Sequence, residues 1–123
     1  MMTPISFLAT TNSDSAIVFY RDSLGFKLIE DTPFAIVFER DGAMLRIQKV
    51  ESFDPHPFTA LGWQVDDIAA SCAELTRNGI VFERYNFLQM GDSDIWSAPD
   101  GAKVCWFKDP DGNTLSLTEF LAS

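Results

Sequence analysis

A chain of 123 residues is long enough for one domain with a real core and leaves no room for a second fold. Its 46% hydrophobic content and eleven phenylalanines fit a globular α+β protein, while a formal charge of −9 argues against a nucleic-acid partner, whose phosphates repel it. No apolar run approaches about 18 residues, and the opening MMTPISFLATTNS lacks the basic-then-apolar layout of a secretory signal, so no membrane partner and a cytoplasmic home are expected.

In chain order, Ile5 to Thr10 reads as a short strand. Asn12, Ser13 and Asp14 supply helix-start chemistry before AIVFYRDSL, and Gly25 stops that helix. Strands are expected at Phe26 to Glu30, Pro33 to Glu39 and Met44 to Val50. The two prolines of SFDPHPF, Ser52 to Phe58, then mark a connector. The order repeats. Leu61 to Val65 is a strand, and Asp67 caps a helix whose Ile68, Cys72 and Leu75 recur at helical spacing until Gly79. Strands follow at Ile80 to Arg84, Ala102 to Phe107 and Thr114 to Glu119. Tyr85 to Gly101 has no counterpart in the first half and allows one extra strand at Asp94 to Ser97.

The two halves close on nearly the same phrase. FERDGAMLRIQKV (Phe38 to Val50) aligns with FKDPDGNTLSLTEF (Phe107 to Phe120) once Pro110 is taken as an insertion. Asp41-Gly42 falls on Asp111-Gly112, Leu45 on Leu115 and Ile47 on Leu117. Each copy reads as strand, Asp-Gly turn, strand. Alternation then puts Leu45, Ile47, Leu115 and Leu117 under the helices, and Arg46, Gln48, Ser116 and Thr118 on the other face. Leu61, Trp63 and Val65 likewise part from Ala60, Gly62 and Gln64.

With these segments in hand, the chain resembles the vicinal oxygen chelate superfamily, which includes glyoxalase I, extradiol dioxygenases and the bleomycin and fosfomycin resistance proteins. The pieces that carry the likeness are FYRDSLGF (Phe19 to Phe26), QVDDI (Gln64 to Ile68), LTRNGI (Leu75 to Ile80) and WFKDPDGNTLSLTE (Trp106 to Glu119). The resemblance implies a single α+β domain over 1–123. It would hold paired βαβββ modules, 5–50 and 59–120 with connector 51–58, forming a curved mixed sheet around a cleft, and would form a homodimer. It also places the family's metal ligands at Ile5 (or Ser6), Arg46, Ala60 and Ser116. Methyl groups donate no lone pair, a serine hydroxyl is a weak ligand and a guanidinium repels a cation, so neither a metal nor another cofactor is expected.

The remaining chemistry is sparse. His56, the only histidine, sits between two prolines and reads as a solvated loop residue. Cys72 and Cys105 lack Cys-x-x-Cys spacing and read as reduced packing residues. The carboxylates Asp41, Asp109 and Asp111 are explained by turn chemistry. Arg46 has two readings: a stem that packs with its head in water, or an anion anchor whose partner is an internal acid such as Glu39, Glu83 or Glu119, or a ligand. The expected function is metal-free binding of a small anionic or aromatic molecule. The expected ligand-binding set is Arg46, Gln48, Ile5, Phe7, Ala60, Gln64, Phe87, Met90, Trp96 and Ser116. The rival is an enzyme of the glyoxalase or dioxygenase type, either metal-dependent through Gln48, Gln64 and Glu119 or metal-free through Arg46. A third reading is a structural dimer without a ligand.

Overall fold

The computed structural model describes residues 1–88, 90–91 and 93–121, which fall into two compact units. The first comprises Met1–His56 together with Asp109–Asn113; the second comprises 57–108 and the described residues from Thr114 onward.

In the first unit, β1 (Ser6–Thr10) leads to α1 (Ser13–Ile17), whose Asn12 cap accepts from the Ser15 amide at 3.2 Å. The helix then widens into a π-helical turn, Val18–Ser23, closed by the Leu24 amide on the Phe19 carbonyl at 3.1 Å. The expected single α-helix is therefore two kinds of helix. Gly25 follows at φ +77°, a conformation that a Cβ disfavours. Next come β2 (Lys27–Asp31), β3 (Ala35–Arg40) and β4 (Ala43–Lys49). The sheet order is β1-β4-β3-β2, with β1 parallel to β4 and the other pairs antiparallel. Asp41 (φ +53°) and Gly42 (φ +85°) make the tight turn between β3 and β4. Leu45, Ile47, Ile36 and Phe38 are almost completely buried with Tyr20, and the Tyr20, Phe26 and Phe38 rings lie 5.8–6.0 Å apart.

The Asp109–Asn113 turn completes this unit. Tyr20 donates its hydroxyl to Asp109 Oδ2 at 2.7 Å, and Asn113 Nδ2 donates to the Ala9 carbonyl at 3.0 Å. Thr11 donates to Asp111 through its amide and its hydroxyl, both at 2.8 Å, and Thr10 adds a further hydroxyl bond to the same carboxylate. The Asp-Gly turn of the second repeat thus has a packing role that turn chemistry alone does not explain.

In the second unit, β5 (Thr59–Gln64) leads to α2 (Ile68–Arg77), followed by β6 (Phe82–Glu83), β7 (Trp96–Ser97), β8 (Lys103–Lys108) and β9 (Thr114–Glu119). The order is β5-β9-β8-β6, with β7 also paired to β8. Asp67 caps α2 by accepting from the Ala70 amide at 3.1 Å, and Glu119 accepts from the Ile68 amide at 3.0 Å. The strand expected over Ile80 to Arg84 shrinks to two residues, because the chain leaves β8 at Arg84. Arg84 instead donates to the carbonyls of Gly91 and Ser93, tying the irregular stretch together. Leu115, Leu117, Phe107 and Cys105 are buried under α2, as alternation places them. The architecture is the expected α+β fold, carried by two mixed sheets.

Candidate functional site

The second face of each sheet carries the side chains that alternate with those packed under the helices. In the first unit, strand pairing sets Phe7, Arg46 and Val37 in one row, and Ala9, Gln48 and Ala35 in the next. Arg46 is half-buried between two apolar neighbours, Phe7 is 53% exposed and Gln48 is exposed. Among the described residues no ion pair to Arg46 is recorded, so none of Glu39, Glu83 and Glu119 is seen to neutralise it. Glu39 accepts from the Gly42 amide instead, at 3.0 Å. Ile5 precedes the first residue of β1 and is exposed.

In the second unit the corresponding rows are Gly62, Ser116, Trp106 and Glu83, then Gln64, Thr118, Val104 and Trp96. Bulky aromatics from β7 and β8 share this face with small residues from β5 and β9. A cavity of about 410 Å³ opens here, walled by Phe58, Tyr85, Phe87, Trp96 and Trp106, with Thr59 and Thr114 among its few polar groups. The volume falls within the roughly 300–1,000 Å³ of small-molecule sites. Its walls brace one another: Tyr85 meets Trp106 edge-on at 5.3 Å and Phe87 at 5.4 Å, and Trp96 lies 6.0 Å from Trp106. Phe87 nevertheless remains 81% exposed, so its ring edges the cavity from the solvent side.

Of the expected ligand residues in this unit, Phe87 and Trp96 line the cavity. Ser116 is buried directly opposite Trp106 in the β8–β9 pairing. Met90 does not line it; it is buried, and its Sδ accepts from the Tyr85 amide at 3.4 Å, holding the loop from behind. Ala60 and Gln64 are exposed on β5 and also lie off the lining. Sequence reasoning missed Trp106, Tyr85 and Phe58. For Trp106 the signal was available, since it alternates with buried Cys105 and Phe107 and must face the other way.

The residues at the places where the resemblance puts metal ligands do not fit a divalent cation. Ile5 and Arg46 in the first unit supply no lone pair for it, and Ser6, the alternative to Ile5, offers only a weakly coordinating hydroxyl. Ala60 in the second supplies none either, and the Ser116 hydroxyl is a poor donor to such ions. Among the described residues, no group of three His, Cys, Asp or Glu side chains is placed to hold a metal ion. Glu119, one of the displaced ligands considered, is engaged at the start of α2. No helix among the described residues is long and apolar enough to cross a membrane.

A family model for the Glyoxalase/Bleomycin resistance protein/Dioxygenase superfamily matches residues 4–117. No curated protein matches the sequence. Solved structures do: a bleomycin-binding protein complexed with bleomycin is 21% identical with a TM-score of 0.74, covering 98% of this chain and 100% of that one. TnmS3, an antibiotic binding protein from Streptomyces sp. CB03234, is 21% identical with a TM-score of 0.69, covering 98% of each chain. A glyoxalase family protein from Enterococcus faecalis is 23% identical with a TM-score of 0.74, covering 96% of this chain and 97% of that one. At such identities the structural likeness speaks for the fold. Together with the family match over nearly the whole sequence, it settles the lineage: the chain belongs to the glyoxalase/bleomycin resistance protein/dioxygenase superfamily.

Proposed function

We propose that this protein binds a small, partly planar molecule without chemically changing it and without a resident metal. The observation that carries the reading is the aromatic cavity of the second unit, with Trp96, Trp106, Tyr85 and Phe87 around about 410 Å³ of space. Such walls gain by covering a flat apolar face, and each well-stacked ring adds about 0.5–1.5 kcal/mol beyond area burial. The few polar groups at the rim suit orientation rather than bond breaking. Two structural neighbours are described as binding bleomycin and an antibiotic, which supports the same class of ligand. Arg46 belongs to the reading as an anion-directed group, because it is half-buried beside apolar side chains and has no recorded ion pair among the described residues. Gln48 and Ser116 serve as secondary hydrogen-bonding groups, and a homodimer completes the proposal.

The test is a thermal-shift and tryptophan-fluorescence screen with planar aromatic antibiotics, bleomycin among them, and with small aromatic acids. A ligand at a hundred times its Kd raises stability by about 2.7 kcal/mol and quenches the wall tryptophans. No shift with any planar compound, or binding unchanged in Trp106→Ala, overturns the aromatic site. Stoichiometric zinc, iron or manganese surviving dialysis overturns the metal-free part. Sedimentation as a monomer at high micromolar concentration overturns the dimer.

A further inference from the structure

The two cysteines of this chain stand 33 positions apart, yet their Sγ atoms lie 3.0 Å from one another inside the second unit. Cys72 sits on α2, facing the sheet, and Cys105 on β8 beneath it. Both are free thiols. Ordinary contact between heavy atoms is about 3.5–4.0 Å, and a disulfide needs about 2.05 Å, so closing the pair asks for a movement on the order of 1 Å. We propose that Cys72 and Cys105 form an oxidative modification site: a dithiol that a small peroxide converts to an internal disulfide locking α2 onto β8. This goes beyond the ligand-binding reading and does not depend on it.

The two sulfurs are unequal. Cys72 keeps 9% of its surface exposed and Cys105 keeps none, so a small oxidant reaches Cys72 first. Either sulfur can donate in the bond between them; that bond pulls the Cys72 pKa down, whereas the same bond and burial push Cys105 up. Cys72, the sulfur a small oxidant can reach, is assigned as the nucleophile. Its thiolate attacks one peroxide oxygen, the O–O bond breaks, and with one proton the products are the Cys72 sulfenic acid and water. The Cys105 sulfur then attacks the Cys72 sulfur, its proton leaves with the displaced hydroxide as a second water, and the S–S bond forms. Two thiols and one hydrogen peroxide yield one disulfide and two waters. Because the neighbouring Trp106 faces the cavity, the lock also holds one wall of that site.

The experiment exposes the native 123-residue chain to hydrogen peroxide, then denatures it, alkylates it with iodoacetamide and reads thiols by mass spectrometry. The expected result is loss of both alkylatable thiols, a Cys72–Cys105 crosslinked peptide, recovery of both thiols with dithiothreitol, and a Tm raised by on the order of 5–10 °C in the oxidised form. Cys105→Ala should yield a dimedone-reactive Cys72, and Cys72→Ala should leave Cys105 reduced. Both thiols still alkylatable after enough peroxide to oxidise the exposed Met44 would overturn the proposal. So would a disulfide formed between two chains in place of the internal one.

Discussion

Asp109 accepts from four donors at once: the Tyr20 hydroxyl, the Asn113 side-chain amide and the backbone amides of Asp111 and Asn113. Burial raises its pKa, and those donors pull the other way by favouring the carboxylate. Asp109→Asn places an NH₂ group against donors, so it should cost about 1–3 kcal/mol in a urea melt even though it removes a buried charge. Tyr20→Phe leaves one acceptor short and should cost a similar amount with the aromatic packing kept. At Arg46 the expectation is reversed. Arg46→Met keeps the stem volume, so stability should move little, while affinity for an anionic ligand should fall about ten- to a hundredfold by calorimetry. Unchanged affinity would reduce Arg46 to a snorkelling side chain.

Elements with strong local signals were legible in the sequence. Asn12 and Asp67 cap the helices they precede, and the alternation of β4 and β9 put Leu45, Ile47, Leu115 and Leu117 in the core. Elements set by distant partners were not. The π-helical turn carries Tyr20, whose hydroxyl partner Asp109 lies 89 positions away, and no local pattern announces it. The site divides the same way. Arg46, Gln48 and Phe7 could be assigned to one face by counting along strands, but the cavity depends on how Tyr85, Phe87 and Trp96 leave an irregular stretch to meet Trp106, and side-chain periodicity is silent there. One element-scale test concerns β5. A Cβ on Gly62 would lie 2.9 Å from the buried Ser116 Oγ and 3.4 Å from its carbonyl, so the Ser116 hydroxyl would have to turn away or β5 and β9 move apart. Gly62→Ala should therefore lower stability by about 1–3 kcal/mol and disturb the neighbouring Trp106 fluorescence.

For the whole molecule, pH stability has a definite sign at its alkaline end. Burial, then the charge and hydrogen bond of Asp109, lift the Tyr20 pKa well above its ordinary value of 10.0. The folded state thus holds its phenolic proton where the unfolded chain has released it. The contribution is intact below pH 10 and is lost as pH climbs from there through the folded value. Denaturant midpoints should fall above pH 10 more steeply for the natural chain than for Tyr20→Phe. A parallel fall in both would place the alkaline transition elsewhere.

The membership of Asp109–Asn113 in the first unit also bears on how the chain is born. Domains made on the ribosome usually fold from the N-terminus as they emerge. Here the first unit waits for a turn that follows His56 by 53 positions (109 − 56), a delay on the order of 3–10 s at roughly 5–20 residues per second. Until then the Tyr20 hydroxyl and the Ala9 carbonyl lack the side-chain partners they have in the folded protein. Vectorial synthesis therefore delivers the parts of this unit in two instalments, with the 109–113 turn as its closing piece.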